Sequence, residues 1–460
     1  GADMSSILDS INSFVWGPIT IILIVGTGIF ITVLAKAIQI RRFPYAWKLI
    51  SGKFDKKDDA GEITHFQALS AALSATIGTG NIAGVGTAIA MGGPGAVFWM
   101  WITALFGMGL KYAECLLSLK YRVIHDDGSA GGGPMYYLEK GLGQKWLGIL
   151  FAIFASIASF GIGNMVQANS VAAPLHSQFG IPKIVTGLII GGLVFMVIVG
   201  GIKRIGRVAS KLVPFMSVFY VLGALIVIIT KIDAIPEAFV IIFSSAFTPA
   251  SASGGFAGAA LAQVIRYGVA RGVFSNEAGL GSAPIAHGAA RTNEPVREGL
   301  VAMLGPFIDT IVICSMTALV IILTGAYTLT GADGSGLTGA DLTAKAFSLG
   351  LNTYGKYIVS FGLIFFAFST AISWSYYGDR CVDYLFGQKL VKPYRIIYCI
   401  LLPVGAYIEL KTVWTISDIF NALMAWPNLV GLLLLSPVVI KTTKEYFSDP
   451  KKVNPSEQLS

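Results

Sequence analysis

Apolar stretches of about 20 residues recur along nearly the whole chain, and each is long enough to cross roughly 30 Å of hydrocarbon at about 1.5 Å per residue. Eleven can be placed, near residues 14 to 40, 65 to 91, 95 to 121, 146 to 176, 183 to 202, 208 to 230, 257 to 289, 299 to 325, 354 to 378, 394 to 410 and 416 to 440. Hydrocarbon offers the backbone no water to bond, so runs of this length must satisfy their own amides as helices. Only 13% of the 460 residues are charged and 54% are hydrophobic, with a mean hydropathy of +0.71. A soluble domain carries about 25% charged residues. The reading is therefore an all-α integral membrane protein whose surroundings are a lipid bilayer, and a soluble globular enzyme is disfavoured.

The net charge of +8 is carried by short loops between the apolar spans and not by one face of a polar domain. It points to topology and away from nucleic acid. Assigned to alternate sides, the loops hold 24 Lys and Arg on one side and 5 on the other, with Lys36, Lys111, Arg266 and Arg271 inside spans. That bias places the amino end outside and the carboxyl end in the cytoplasm of a cell membrane, and the short loops and lean tails favour a prokaryotic inner membrane. The polar segments are too short for a nucleotide-binding domain, so ATP-driven pumping is disfavoured. The four Cys and four His are scattered, with no disulfide framework or metal-ligand spacing. Gly1-Ala2-Asp3 ahead of Met4 reads as a cloning remnant, and the first apolar run as a retained helix. Thr330-Gly331-Ala332-Asp333 and Thr338-Gly339-Ala340-Asp341 form a small duplication that makes turns or binds a cation. Gly131-Gly132-Gly133-Pro134 reads as a turn before a short helix.

Two spans are interrupted in their middles. The second holds Ser74-Ala75-Thr76-Ile77-Gly78-Thr79-Gly80-Asn81-Ile82-Ala83-Gly84-Val85-Gly86, and the seventh holds Gly272-Val273-Phe274-Ser275-Asn276-Glu277-Ala278-Gly279-Leu280-Gly281-Ser282-Ala283-Pro284. Each glycine costs a helix about 1 kcal/mol relative to alanine, so such clusters favour unwinding. Unwound backbone survives in a membrane only where it is buried in protein or lines a cavity. An odd number of spans separates the two interruptions, so they cross in opposite directions, as two inverted five-helix repeats with one added helix at the front would produce. The corresponding divisions are 1–3, 4–63 (extra helix and cytoplasmic loop), 64–231 (first repeat), 232–441 (second repeat) and 442–460 (cytoplasmic tail). Paired broken helices place a ligand site near the midplane, with free N–H groups for a carboxylate and exposed carbonyls for a small cation. The alternative is that these are close-packing glycines between helices.

Gly92-Gly93-Pro94-Gly95-Ala96-Val97-Phe98-Trp99-Met100-Trp101-Ile102-Thr103-Ala104-Leu105-Phe106-Gly107 resembles the signature of the alanine/glycine:cation symporter family, also called sodium:alanine symporters. Gly132-Gly133-Pro134-Met135-Tyr136-Tyr137 and Gly272 to Gly279 resemble it too, and the likeness runs through essentially the whole chain. The resemblance implies the leucine-transporter fold and a sodium-coupled secondary active symporter, not an enzyme, that imports alanine or glycine by alternating access. It implies no cofactor, with sodium as the coupling ion. Carried onto this sequence, it assigns the substrate carboxylate to the N–H groups of Thr79 and Gly80 in Gly78-Thr79-Gly80-Asn81, and the ammonium to carbonyls near Phe274 and Ser275, with Phe274 closing over the side chain. It assigns sodium to the Ser74 and Ile77 carbonyls and the Ser369 and Thr370 hydroxyls, an oxygen-only set suited to a hard cation. Hydroxyl back-bonding to the preceding turn is the plain alternative for Ser369 and Thr370.

Further candidates follow from position. Asn81, Gln167 and Asn276 are polar groups at substrate depth, and Gln167 and Asn164 either bond substrate or join helices. Trp374, one turn beyond Thr370 on the same face, either restricts the pocket or packs. Asp309 lies roughly 15 Å inside its span and is functional by default, as a second-cation or proton site or an arginine partner. Glu277 is a possible gate, paired with Arg266 or Arg271. Lys111 and Glu114, three residues apart, read as a structural pair. A cation-independent facilitator or exchanger of the same fold, and a membrane sensor or channel, are the competing functions.

Overall fold

Prolines and capping residues fix where the helices begin. Pro18 and Pro295 each occupy the first helical position of their helices, where a missing N–H costs nothing. Thr64 and Gln67 close a reciprocal cap on the helix His65–Thr76: Gln67 N–H donates to Thr64 Oγ1 at 3.1 Å and Thr64 N–H to Gln67 Oε1 at 3.0 Å. The computed structural model describes residues 2–248, 261–331, 334–408 and 410–455. Residues 257–260 of the seventh expected span, Ala332 and Asp333 of the loop duplication, Gly1, and the end of the tail from 456 lie outside the described residues.

Among the described residues, eight helices are long and apolar enough to cross a membrane: Asp3–Leu34, Ala96–Tyr121, Lys145–Phe179, Gly201–Thr230, Pro295–Leu323, Thr353–Phe386, Gln388–Tyr407 and Lys411–Leu434. Ala83–Gly92 and Lys183–Ile198 are shorter apolar helices. The expected eleven crossings are thus not all met as single long helices. The difference falls at the two glycine-rich stretches, each of which divides its helix, and at the short helix after residue 183. One two-residue hairpin, Val123–Ile124 paired with Ala130–Gly131, departs from an all-helical chain. Gly133 has φ +129 and leads into Pro134–Tyr136, the short helix expected there.

Among the described residues, wide π-type turns interrupt otherwise continuous helices at Gly161–Met165 and Phe307–Cys314, and another, Tyr137–Gly141, ends a short helix. Turns of this kind free backbone groups and concentrate at functional positions. The amino-terminal helix is tied to the rest by Trp16, whose indole donates to the Asp418 carbonyl at 2.8 Å, and by Trp426, whose indole donates to Thr20 Oγ1 at 2.9 Å.

At one end of the molecule, the start of the first broken helix is fastened to the end of the second. Arg122 donates to the carbonyls of Gly288, Ala290, Ala60 and Thr292 at 2.7 to 2.9 Å. His65 and His287 each place Nδ1 at 2.5 Å from Glu298, one on each carboxylate oxygen. Arg122, expected only to set topology, is therefore a structural clasp, and two of the scattered histidines share one buried glutamate. Glu62, in the connecting loop, accepts the Ala130 N–H at 2.9 Å, and burial raises its carboxyl above the usual range.

Candidate functional site

The first broken helix stops at Thr76 and turns extended at Ile77, with φ −75 and ψ 96. A single tight turn, Thr79–Asn81, precedes the next helix, Ala83–Gly92. The break is held from within, because Asn81 Oδ1 accepts the Gly78 N–H at 2.9 Å. It is also held from outside, where Thr317 Oγ1 donates to the Asn81 carbonyl at 2.7 Å and Thr343 Oγ1 to the Ile82 carbonyl at 2.8 Å. Buried backbone freed from a helix needs such partners.

Four oxygens of the expected cation set converge at this break. Ser369 Oγ lies 3.2 Å from the Ser74 carbonyl and 3.3 Å from the Ile77 carbonyl, and Thr370 Oγ1 lies 3.1 Å from the Ile77 carbonyl. Ser74 Oγ in turn donates to the Ser369 carbonyl at 2.6 Å. Ser369 Oγ also meets the Phe366 carbonyl at 2.8 Å, so the back-bond and the cross-helix contacts coexist. All four residues are buried.

The second broken helix runs Leu261–Asn276, then Ala283–His287. Glu277, between them, has φ +59, a left-handed backbone that costs an L residue about 1–2 kcal/mol. The two breaks touch: a Cβ on Gly80 would stand 3.1 Å from Ser275 Cα and 3.2 Å from Phe274 Cδ1, so any larger residue would push the two breaks apart by a few tenths of an ångström. Asp309, in the π-type turn, joins them. One of its carboxylate oxygens accepts from Asn81 Nδ2 at 2.9 Å, and the other from Ser275 Oγ at 2.7 Å and Thr310 Oγ1 at 2.8 Å. Asn276 Nδ2 donates to Thr310 Oγ1 at 3.1 Å, and Asn276 Oδ1 accepts the Ala278 N–H at 3.0 Å. The side chains of Asn81, Ser275 and Asn276 are thus turned to Asp309, Thr310 and their own backbone. No arginine pairs with Asp309 among the described residues.

Gln167 Oε1 accepts the Thr79 N–H at 3.3 Å, the group expected to receive a carboxylate, while its Nε2 donates to the Ile162 carbonyl in the wide turn. Asn164 joins helices instead, with Nδ2 donating to the Tyr398 carbonyl at 2.7 Å. Trp374 is fully buried, and its indole N–H donates to Glu277 Oε1 at 3.1 Å. Ser282 donates to the other oxygen of Glu277 at 2.8 Å.

Two expected charge pairs are corrected. Arg271 pairs with Asp418, 2.8 Å away on the last long helix, not with Glu277, whose carboxylate is taken up by Trp374 and Ser282. The guanidinium also stands 5.0 Å from the Phe274 ring, which stacks on Trp414 at 5.0 Å. Lys111 and Glu114 form no ion pair among the described residues; Glu114 instead accepts the Gly279 N–H, and Asn428 donates to the Gly279 carbonyl at 2.9 Å. Asp418, Trp414 and Asn428 were missed in the sequence, although an acid inside an apolar span such as Asp418 is itself a signal.

The model of the sodium:alanine symporter family matches residues 2–459. The chain belongs to that family. A sodium/alanine symporter, AgcS, of Methanococcus maripaludis is 51% identical over 448 residues, covering 96% of this chain and 97% of its own. An amino-acid carrier protein, AlsT, of Bacillus subtilis is 36% identical, covering 97% of this chain and 93% of its own. Among solved structures, MhsT in complex with L-phenylalanine superposes with a TM-score of 0.58 at 12% identity, covering 83% of this chain and 98% of its own. A Na+-coupled sialic acid symporter in a substrate-bound outward-open state gives 0.53 at 13% identity, covering 92% and 98%. The fold is that of the leucine-transporter-like carriers, and this symporter-family chain is a multi-pass membrane transporter, not an enzyme.

Proposed function

We propose that the protein is a sodium-coupled symporter that imports alanine or glycine by alternating access. The observation that carries the reading is the meeting of the Ser74 and Ile77 carbonyls with the Ser369 and Thr370 hydroxyls, an uncharged oxygen cage at a helix break. Such a cage suits a hard monovalent cation, and it spans the first broken helix and the long helix Thr353–Phe386. A cation there favours one arrangement of the two helices over another, which is what coupling requires.

The substrate reading is supported by the neighbouring groups. The N–H groups of Thr79 and Gly80 meet the carboxylate, Gln167 yielding its contact with Thr79, and the Phe274 and Ser275 carbonyls meet the ammonium. Asn81, Asn276 and Ser275 hold the breaks open to substrate, and Trp374, fixed by Glu277, limits side-chain size. Asp309 carries a second charge of the cycle, as cation ligand or proton carrier. Glu277 acts as a gate through Trp374, since their bond crosses between the second broken helix and the helix Thr353–Phe386.

The eleven spans form two inverted repeats, 64–231 and 232–441, behind one extra helix, with the amino end outside. The second, third, seventh and eighth spans rock against the fourth, fifth, ninth and tenth. By linkage, alanine tightens sodium binding by the factor that sodium tightens alanine. Labelled alanine uptake into proteoliposomes under an inward sodium gradient, against equal potassium and a proton gradient, tests this. Accumulation with sodium alone, lost in Thr370→Ala, is expected. Equilibration indifferent to cation and substitution would make the protein a facilitator.

A further inference from the structure

Asn421 is fully buried on the helix Leu410–Leu434, and neither its Oδ1 nor its Nδ2 has a hydrogen-bond partner. No other side chain among the described residues leaves two polar atoms unpaired in this way. Buried amides are almost always bonded, so an exception calls for a missing partner. Its place on the helix says where that partner sits. Trp414, Asp418, Asn421 and Asn428 follow one another at steps of four, three and seven, which keeps them on one helical face. That face meets the second broken helix: Trp414 stacks on Phe274, Asp418 pairs with Arg271, and Asn428 bonds Gly279.

Along its helix Asn421 thus falls between the contacts with Arg271 and with Gly279, and the opening of the second broken helix after Asn276 falls between the same two partners. A short amide is left facing the interval between, and Thr79 Oγ1, across the breaks, is likewise buried and unpaired.

We propose that Asn421 is a substrate-binding residue, supplied by the last long helix, whose Oδ1 accepts from the ammonium group of a small amino acid lying at the second break. This rests on the amino-acid symport proposed above. It adds a contact from a helix that contributes neither break nor the oxygen cage, and it gives a partner to an amide whose place apolar residues would fill without loss.

The test is thermal melting of the purified full-length protein in detergent, with sodium alone and with sodium plus alanine, for wild type, Asn421→Leu, Asn421→Ala and Asn421→Asp. Asn421→Leu keeps the volume and removes both polar atoms. Its melting temperature without substrate should equal or exceed that of wild type, and sodium alone should shift it normally. Its alanine affinity, read from the titrated shift, should be at least tenfold weaker, and Asn421→Ala, for which no larger group must fit, should lose as much. Asn421→Asp, which retains the acceptor, should bind more tightly than either. Alanine binding within twofold of wild type in Asn421→Leu and Asn421→Ala would overturn the assignment while leaving symport intact. So would a lowered melting temperature together with a lost sodium shift, the mark of a structural role. A wild-type protein that alanine does not shift would overturn the assignment and the proposed function together.

Discussion

On the orientation and site proposed above, the Arg271–Asp418 pair closes the outer side, and its removal has a calculable effect. The two side chains are 9% and 12% exposed and their charged atoms are 2.8 Å apart. Removing one partner of a buried pair costs about 3–5 kcal/mol, because the other charge is left unpaired. The guanidinium keeps its faces on Phe274 and Trp414, at 5.0 and 5.7 Å, and both groups retain some water, so the lower end applies. In a conformation that opens this side, Arg271 is hydrated and the cost vanishes. Asp418→Ala should therefore favour the open conformation by about 3 kcal/mol, roughly 100-fold at 1.4 kcal/mol per factor of ten.

A native thiol reports the opening. Cys314 Sγ lies 3.2 Å from Ser275 Oγ, one helical turn beyond Arg271, and 3.5 Å from Asn81 Nδ2, and is buried in this conformation. In a background carrying Cys115→Ala, Cys381→Ala and Cys399→Ala, a membrane-impermeant maleimide applied from outside should label Cys314 roughly 100-fold faster when Asp418→Ala is added, the rate following the open population. The double variant with Arg271→Ala, in which neither charge remains to be buried, should label more slowly than Asp418→Ala alone. Labelling of Asp418→Ala at the parental rate, or additive effects in the double variant, would refute the reasoning.

Asp309→Ala removes an acceptor from three buried donors, Asn81, Ser275 and Thr310. Loss of about 2–4 kcal/mol of stability is expected from the donors left unsatisfied, measured as a lowered unfolding midpoint in denaturing detergent, together with loss of alanine accumulation. A Cβ on Gly163 would overlap Trp374 at Cβ and Cγ, the side-chain atoms next to its backbone, which cannot swing aside as the far end of a flexible side chain could. Gly163→Ala should raise the KM for alanine at least tenfold by displacing the indole from Glu277, whereas Gly192→Ala, at a glycine with open space around it, should leave uptake unchanged.

The glycine-rich interruptions and the hydroxyl pair could be singled out in the sequence because their signals are local. A run of glycines weakens a helix wherever it occurs, and Ser369-Thr370 are neighbours in the chain. The charged residues inside the spans were legible as important but not as pairs. Which partner each one meets depends on the rotation and depth of two helices far apart in sequence, and a spacing such as 271 to 418 carries no trace of that register. Sequence proximity accordingly offers Arg266 or Arg271 to Glu277 and Lys111 to Glu114, whereas packing gives Arg271 to Asp418 and Glu114 to the Gly279 amide. Arg122 was read as a topology marker because a single sequence does not distinguish a solvated loop arginine from one that gathers four carbonyls. The short helices Ile235–Phe247 and Gly339–Leu351 also went unread, since their apolar runs are too brief to cross a membrane and lie between longer ones.

Coupling itself is tested most directly in reverse. Proteoliposomes with equal sodium inside and out, given alanine outside only, should accumulate labelled sodium transiently above its external concentration, because a symporter must carry the ion with the substrate. Thr370→Ala, with one oxygen of the cage removed, should show none. Alanine entry in wild type without any movement of labelled sodium would contradict the account, leaving a carrier of this fold that does not couple to the ion.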